Sequence, residues 1–276
     1  MSKKKSVRNS AREPAPQFVR SCGTKRPSHY EITRNDSRLS ASSRRMRPAQ
    51  SIYIDVQFIH IKSGNRGVIT PSKRRNQISV LNNAFQQYGI EFGFLEDQVR
   101  VVENDQWYSM DNGSAAERDA KTALHGSPER HLNFYTAGLT GGLLGWATFP
   151  WELAGDRVMD GVVILDESLP GGAASPFNLG ITAVHEIGHW LGLYHTFQGG
   201  CNAQGDHVGD TVSHAEPNFG MPDDTQANGA CKVGEKAPVH NYMNYCDDRW
   251  LNQFTPQQVT RIRSHVAEYR PGFIRT

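Results

Sequence analysis

The chain has 276 residues, 37% hydrophobic and 21% charged, with a formal net charge of +2. That length can bury a substantial core, as one large domain or two small ones, and no apolar run is long enough to span a membrane as a helix. The small net charge hides a split: residues 1–50 carry 13 Lys or Arg against 3 Asp or Glu, and the remainder 17 against 25.

The first 50 residues are polar and without sustained periodicity, and read as a basic appendage. MSKKK is not followed by an apolar stretch, so no signal peptide is visible. A basic arm can serve nucleic acid, or it can dock on its own acidic domain. At SIYIDVQFIH, residues 51–60, Ile52, Ile54, Val56 and Phe58 alternate, which predicts a half-buried strand. Thr70 with Pro71 opens a helix whose face is Ile78, Leu81 and Phe85, ending at Gly89. Strands are predicted at 90–94 and 99–102, a polar helix at 114–125, and further strands at 131–139, 143–151 and 160–169. A long helix covers 178–193. From 199 to 240 the chain is rich in Gly, Asp, Asn and Pro, and a loop of that length needs a staple or an ion. TPQQVTRIRSHVAEY, 255–269, is a final helix capped by Thr255.

The long helix carries HEIGHWLGLYH, residues 185–195. Residues four apart share a helix face, so His185 and His189 point the same way. Gly192 can leave the helix at positive φ and swing His195 back toward them. Three neutral imidazoles converging on one point leave a fourth position open, the plan of a catalytic zinc site, where a water's pKa falls to about 7. Glu186, beside the first histidine, is placed to take that water's proton. The competing reading, buried core histidines satisfied by ordinary partners, does not account for five positions fixed at this spacing.

HEIGHWLGLYHTFQGGC followed by NYMNYCDD resembles the metzincin zinc endopeptidases, and among them the pappalysin (cytophagalysin) family. LLGWATFPW, MDGVVIL and LPGG match the same family, and the likeness runs from SCGT near the N-terminus to NQFTPQQVTRIR near the C-terminus. The resemblance implies an α+β zincin fold: a mixed twisted sheet and the active-site helix above, a loop-rich lower half with the C-terminal helix below. It implies that His185, His189 and His195 bind zinc and that Glu186 is the catalytic acid and base. Met243 would form the floor beneath the metal, and Tyr245 would stabilise the transition-state oxyanion. LLGWATFPW would be the edge strand that pairs with an extended substrate. Asp248 would lie at the base of the S1′ pocket and pair bidentately with the guanidinium of an arginine, or less readily a lysine, just after the scissile bond. Cys22, in SCGTKRPS, resembles a cysteine switch that fills the fourth zinc position in a latent form.

Residues 1–43 are therefore expected to be a basic pro-segment and 44–276 the catalytic domain. Self-cutting is expected within SSRRMRP, at Arg44, Arg45 or Arg47. Cys201 and Cys231 match one family disulfide; Met221 and Trp250 stand where a second would be, and Cys246 is expected to be a free thiol near the active site. Asn244 replaces a usual Asp. GDHVGDT with Glu216 resembles a calcium-binding stretch, with Asp206, Asp210, Thr211 and Glu216 as oxygen ligands. The expected partners are protein or peptide substrates, with no nucleic acid or membrane, and the family implies secretion. A non-catalytic zinc-containing module that binds peptides is the alternative; the presence of Glu186 argues against it.

Overall fold

The computed structural model describes residues 18–42, 50–202, 204–223 and 229–275. Arg44, Arg45 and Arg47 lie outside these. The elements in chain order are α1 (His29–Ser42), β1 (Ser51–Lys62), α2 (Pro71–Phe85), β2 (Ile90–Gly93), β3 (Arg100–Glu103), α3 (Asp105–Tyr108), α4 (Ala115–Leu124), β4 (His131–Ala137), β5 (Gly145–Ala147), β6 (Val162–Leu165), α5 (Ile181–Trp190), α6 (Pro256–Tyr269) and β7 (Ile274–Arg275).

The main sheet order is β2-β1-β4-β6-β5, with β3 and β7 also pairing β1. β1, β2, β3, β4 and β6 pair in parallel, while β5 and β7 run antiparallel to their neighbours. The sheet is mixed, as expected. Alternation on β1 sends Ile52, Ile54, Val56 and Phe58 to the larger apolar cluster with α2, α5 and α6. Ile59 and Ile61 face the smaller cluster with Tyr108, Trp146 and Phe177. β5 is the last strand of the path, three residues long instead of the nine expected, because Pro150 opens a 3-10 turn. α5 is also shorter than expected, since Gly192 takes φ 99°.

α1 lies within the first 50 residues, which read only as a basic appendage without periodicity. Ser28 and Glu31 form a reciprocal N-terminal cap: the Ser28 N–H donates to Glu31 Oε2 at 2.7 Å and the Glu31 N–H to Ser28 Oγ at 3.3 Å. Ile32, Asn35 and Leu39 form its buried stripe. Asn35 contacts His265 Nε2 at 3.0 Å and accepts from the Tyr269 hydroxyl at 3.0 Å, both on α6. Ile32 and Leu39 are the only large aliphatic residues in its fourteen, too few to announce such a helix.

In the lower half, Cys201 and Cys231 form a disulfide and Cys22 and Cys246 are free. The elements around α5 meet at one buried carboxylate. Asp160 receives Arg270 from the end of α6 through two contacts of 2.6 and 3.2 Å, with both side chains fully buried. The Trp190 Nε1–H at the end of α5 donates to it at 3.2 Å, and the Thr148 hydroxyl beyond β5 at 3.3 Å. Removing one partner of such a pair strands the other charge in the interior. Arg270→Met is expected to lower unfolding stability by about 3–5 kcal/mol, measured by urea denaturation. A loss of under about 1 kcal/mol, the range of an exposed pair, would contradict this role.

Candidate active site

His185 and His189 sit one turn apart on α5, their ring centroids 4.9 Å apart. The turn at Gly192 returns the chain so that His195 joins them. His189 Nε2 lies 3.0 Å from His195 Nε2, which lies 3.2 Å from His185 Nε2. A Cβ on Gly192 would collide with the His265 ring, so only glycine makes this turn against α6. A Cβ on Gly188 would likewise strike the Met243 sulfur, which places buried Met243 directly against α5.

The opposite ring atoms are fixed by the backbone. His185 Nδ1 donates to the Tyr242 carbonyl at 2.7 Å and His189 Nδ1 to the Leu193 carbonyl at 2.8 Å. With the proton on Nδ1, each Nε2 presents a bare lone pair. Burial depresses all three imidazoles, His189 to about 4, and the neighbouring rings depress His185 and His195 further. His185 and His189 therefore cannot donate at Nε2, to each other or to His195. Two bare lone pairs aimed at one point, with the third imidazole beside them, suit a cation there. Cys22 Sγ completes the group: the four ligand atoms lie within 4.8 Å of one another, the one such cluster among the described residues. Burial and the Glu186 carboxylate both raise the Cys22 thiol, and a cation at the imidazoles is what would favour its thiolate. The donor set fits zinc.

Cys22 arrives on an N-terminal segment laid beside β5. The Leu144 N–H donates to the Ser21 carbonyl at 3.0 Å, the Gly23 N–H to the Gly145 carbonyl at 2.8 Å, and the Ala147 N–H to Thr24 Oγ1 at 2.9 Å. The pairing is parallel. Glu186 is buried against the same segment. It accepts from the Thr24 hydroxyl at 3.0 Å and the Cys22 thiol at 3.3 Å, and burial pushes its carboxyl up to about 7. The Tyr245 hydroxyl lies 3.3 Å from His195 Nε2.

Sequence reasoning missed Thr24 and, more importantly, Arg20. Arg20 is buried, and its Nη2 pairs with Asp248 Oδ1. Its Nε–H donates to the Cys246 carbonyl at 3.0 Å, and its guanidinium lies 4.9 Å from the Phe177 ring centroid. Asp248 Oδ2 accepts from the Leu179 N–H at 2.8 Å, so the arginine is gripped through one carboxylate oxygen and a carbonyl rather than bidentately. Cys246 is buried, its thiol directed to the Asn218 carbonyl at 3.5 Å. Asn244 pairs with Asn218.

Calcium is not shown at the stretch expected to hold it, where the described carboxylates make protein contacts. Asp206 takes the Thr211 hydroxyl at 2.6 Å, but Asp210 turns to the start of α6, accepting from the Thr255 hydroxyl at 2.6 Å and the Gln257 N–H at 3.0 Å. Asp206, Asp210 and Glu216 do not gather into a metal-binding group.

Residues 129–267 match the peptidase family described as pregnancy-associated plasma protein-A. Extracellular metalloprotease 1 of Coccidioides posadasii is 35% identical over 92% of this chain and 91% of its own length. The chain belongs to this family. It is a pappalysin-type metallopeptidase, and membership implies zinc at the histidine cluster. An extracellular metalloprotease of Pyricularia oryzae is 38% identical over 78% of this chain and 75% of its own. Among solved structures, a Tannerella forsythia promirolysin point mutant superposes with a TM-score of 0.82 at 25% identity, over 92% of this chain and 97% of that one. Mature mirolysin in complex with a cleaved peptide gives 0.70 at 26%, over 83% and 100%. The family's sheet and helix are those described above. No helix of the described residues is long and apolar enough to cross a membrane.

Arg20 leaves Asp248 without a cation if it is removed. Arg20→Met is expected to loosen the segment by about 3 kcal/mol or more, speeding hydrogen exchange at the Gly23 and Leu144 amides by about 10²-fold. Unchanged exchange at those amides would show that the ion pair does not hold the segment.

Proposed function

We propose that this protease is a secreted zinc endopeptidase made as a latent zymogen, with residues 1–43 as pro-segment and 44–276 as catalytic domain, and that it cuts on the N-terminal side of arginine and less readily lysine. The observation that carries the reading is the path of residues 20–24: Arg20 on Asp248, Cys22 in the metal cluster and Thr24 on Glu186. One short segment occupies the edge strand, the acid and the open ligand position together. Promirolysin covers more of this chain than mature mirolysin does, 92% against 83%, which supports the same assignment. The relatives' names support secretion.

In the active form, His185, His189 and His195 hold zinc, which supplies a Lewis acid for the scissile carbonyl and makes a water more acidic. With the pro-segment gone, the backbone groups at Leu144, Gly145 and Ala147 are free to pair with an extended substrate. Glu186 takes one proton from the attacking water as its oxygen bonds to the carbonyl carbon. It then delivers that proton to the amine nitrogen as the C–N bond breaks. The Tyr245 hydroxyl donates to the oxyanion. Met243 keeps the underside of the site dry and packed. Asp248 selects the side chain after the cut, since a buried carboxylate that has lost Arg20 is restored by an incoming guanidinium.

Two experiments test this. Glu186→Ala is expected to lower peptidase turnover by about 10³-fold or more while retaining one zinc per chain, and His189→Ala is expected to lose the metal; near-normal turnover of a metal-loaded Glu186→Ala protein would overturn the role. Incubated wild-type chain is expected to acquire a new N-terminus within 44–47, favouring Arg44, with Cys22→Ala shortening the lag and Glu186→Ala staying intact. An N-terminus that never moves there, or that moves equally in Glu186→Ala, would refute self-activation.

A further inference from the structure

Among the described residues, nine large hydrophobic side chains remain exposed, and three of them are carried by backbone bonded to Asp247 or Asp248. Leu179 is 39% exposed, Phe219 50% and Met221 54%. Each lies one step from the residues that grip Arg20. The Leu179 N–H binds the free oxygen of Asp248, and the Gly220 carbonyl, between Phe219 and Met221, accepts the Asp247 N–H at 2.8 Å. The Phe219 ring lies 6.0 Å from that of Tyr245. A single exposed apolar side chain needs no explanation, but a group of them at the mouth of a cleft does.

The loop that presents Phe219 and Met221 is also held in place. The Asn218 N–H donates to Asn244 Oδ1 at 3.0 Å, and Asn244 Nδ2 returns a bond to Asn218 Oδ1 at 3.1 Å. Together with the Asp247 bond, this staples residues 218–220 to the segment carrying Tyr245 and Asp248. Apolar surface fixed beforehand binds without an ordering cost. The N-terminal segment shows what kind of chain passes here. Phe18, two residues before Arg20, is partly buried against the apolar cluster that contains Phe177, whereas Val19, Phe219 and Met221 stay exposed.

We propose that Leu179, Phe219 and Met221 form an apolar shelf at the mouth of the arginine pocket, which selects substrates carrying a large apolar side chain within the two positions after the arginine. This rests on the reading of Asp248 as the acid that selects the residue just after the cut. In an extended peptide successive side chains point to opposite sides, so the positions after the arginine present one side chain to each wall of the cleft.

The test is mass spectrometry of products from a denatured proteome cut by the self-activated full-length protein, comparing wild type with F219S/M221S and with the conservative F219L/M221L. In wild type, Leu, Ile, Phe and Met are expected to be enriched about five- to tenfold in the two positions beyond the residue that follows the cut. F219S/M221S is expected to lose that enrichment while keeping arginine directly after the cut, and F219L/M221L to keep both. A flat wild-type profile at those two positions, or an enrichment unaffected in F219S/M221S, would overturn the shelf. Loss of arginine and apolar enrichment together in F219S/M221S would also overturn it, making the loop a wall of the arginine pocket. Absence of arginine enrichment in wild type is the separate failure of the Asp248 reading, because apolar enrichment is scored relative to the cut itself.

Discussion

Three imidazoles converge in a buried space, two of them with bare lone pairs, and much of the structure around them creates or answers that convergence. The Tyr242 and Leu193 carbonyls hold protons on Nδ1 and thereby aim bare Nε2 atoms at one another. The turn at Gly192 serves twice, returning the chain for His195 and carrying the Leu193 carbonyl that orients His189. Burial removes protonation as a way out, since an imidazolium there would be costly. A metal cation answers the converging imidazoles, and the family supplies zinc for it.

The same buried neighbourhood contains two other unmet demands. β5 offers backbone groups along an edge, and Asp248 offers a carboxylate in the interior beside α5. Each is unfavourable when left alone, the first because paired backbone is the norm and the second because an isolated buried charge is expensive. Residues 20–24 answer all three, and a peptide with a suitably placed arginine answers the edge and the acid. On the function proposed above, latency and specificity share a physical origin: the N-terminal segment and the proposed substrate both answer the positions where the site is least satisfied.

How much of this the sequence disclosed depended on whether the signal was local. HEIGHWLGLYH encodes its geometry within eleven residues, because helix periodicity and one glycine suffice to bring the ligands together. The strand pattern of β1 and the caps at Thr70 and Thr255 were legible for the same reason. Met243, Tyr245, Asp248, Cys22 and the Cys201–Cys231 bridge were reached through family resemblance, since nothing in the spacing of distant residues dictates their contact. α1 escaped because its stability comes from α6 rather than from its own apolar content. Arg20 escaped for a related reason: one basic residue among 13 in the first 50 has no distinguishing mark until Asp248 is seen beside it. The calcium reading shows where composition stops being informative, because an acidic loop looks alike whether its carboxylates face an ion or cap a helix.

The claim on which the rest depends is that a single metal is held by the three histidines and, in the uncut chain, by Cys22. Zinc X-ray absorption on the full-length Glu186→Ala protein reads that ligand set directly. The latent arrangement predicts one sulfur at about 2.3 Å with three nitrogens at about 2.0–2.1 Å. A shell of nitrogen and oxygen with no sulfur would contradict it.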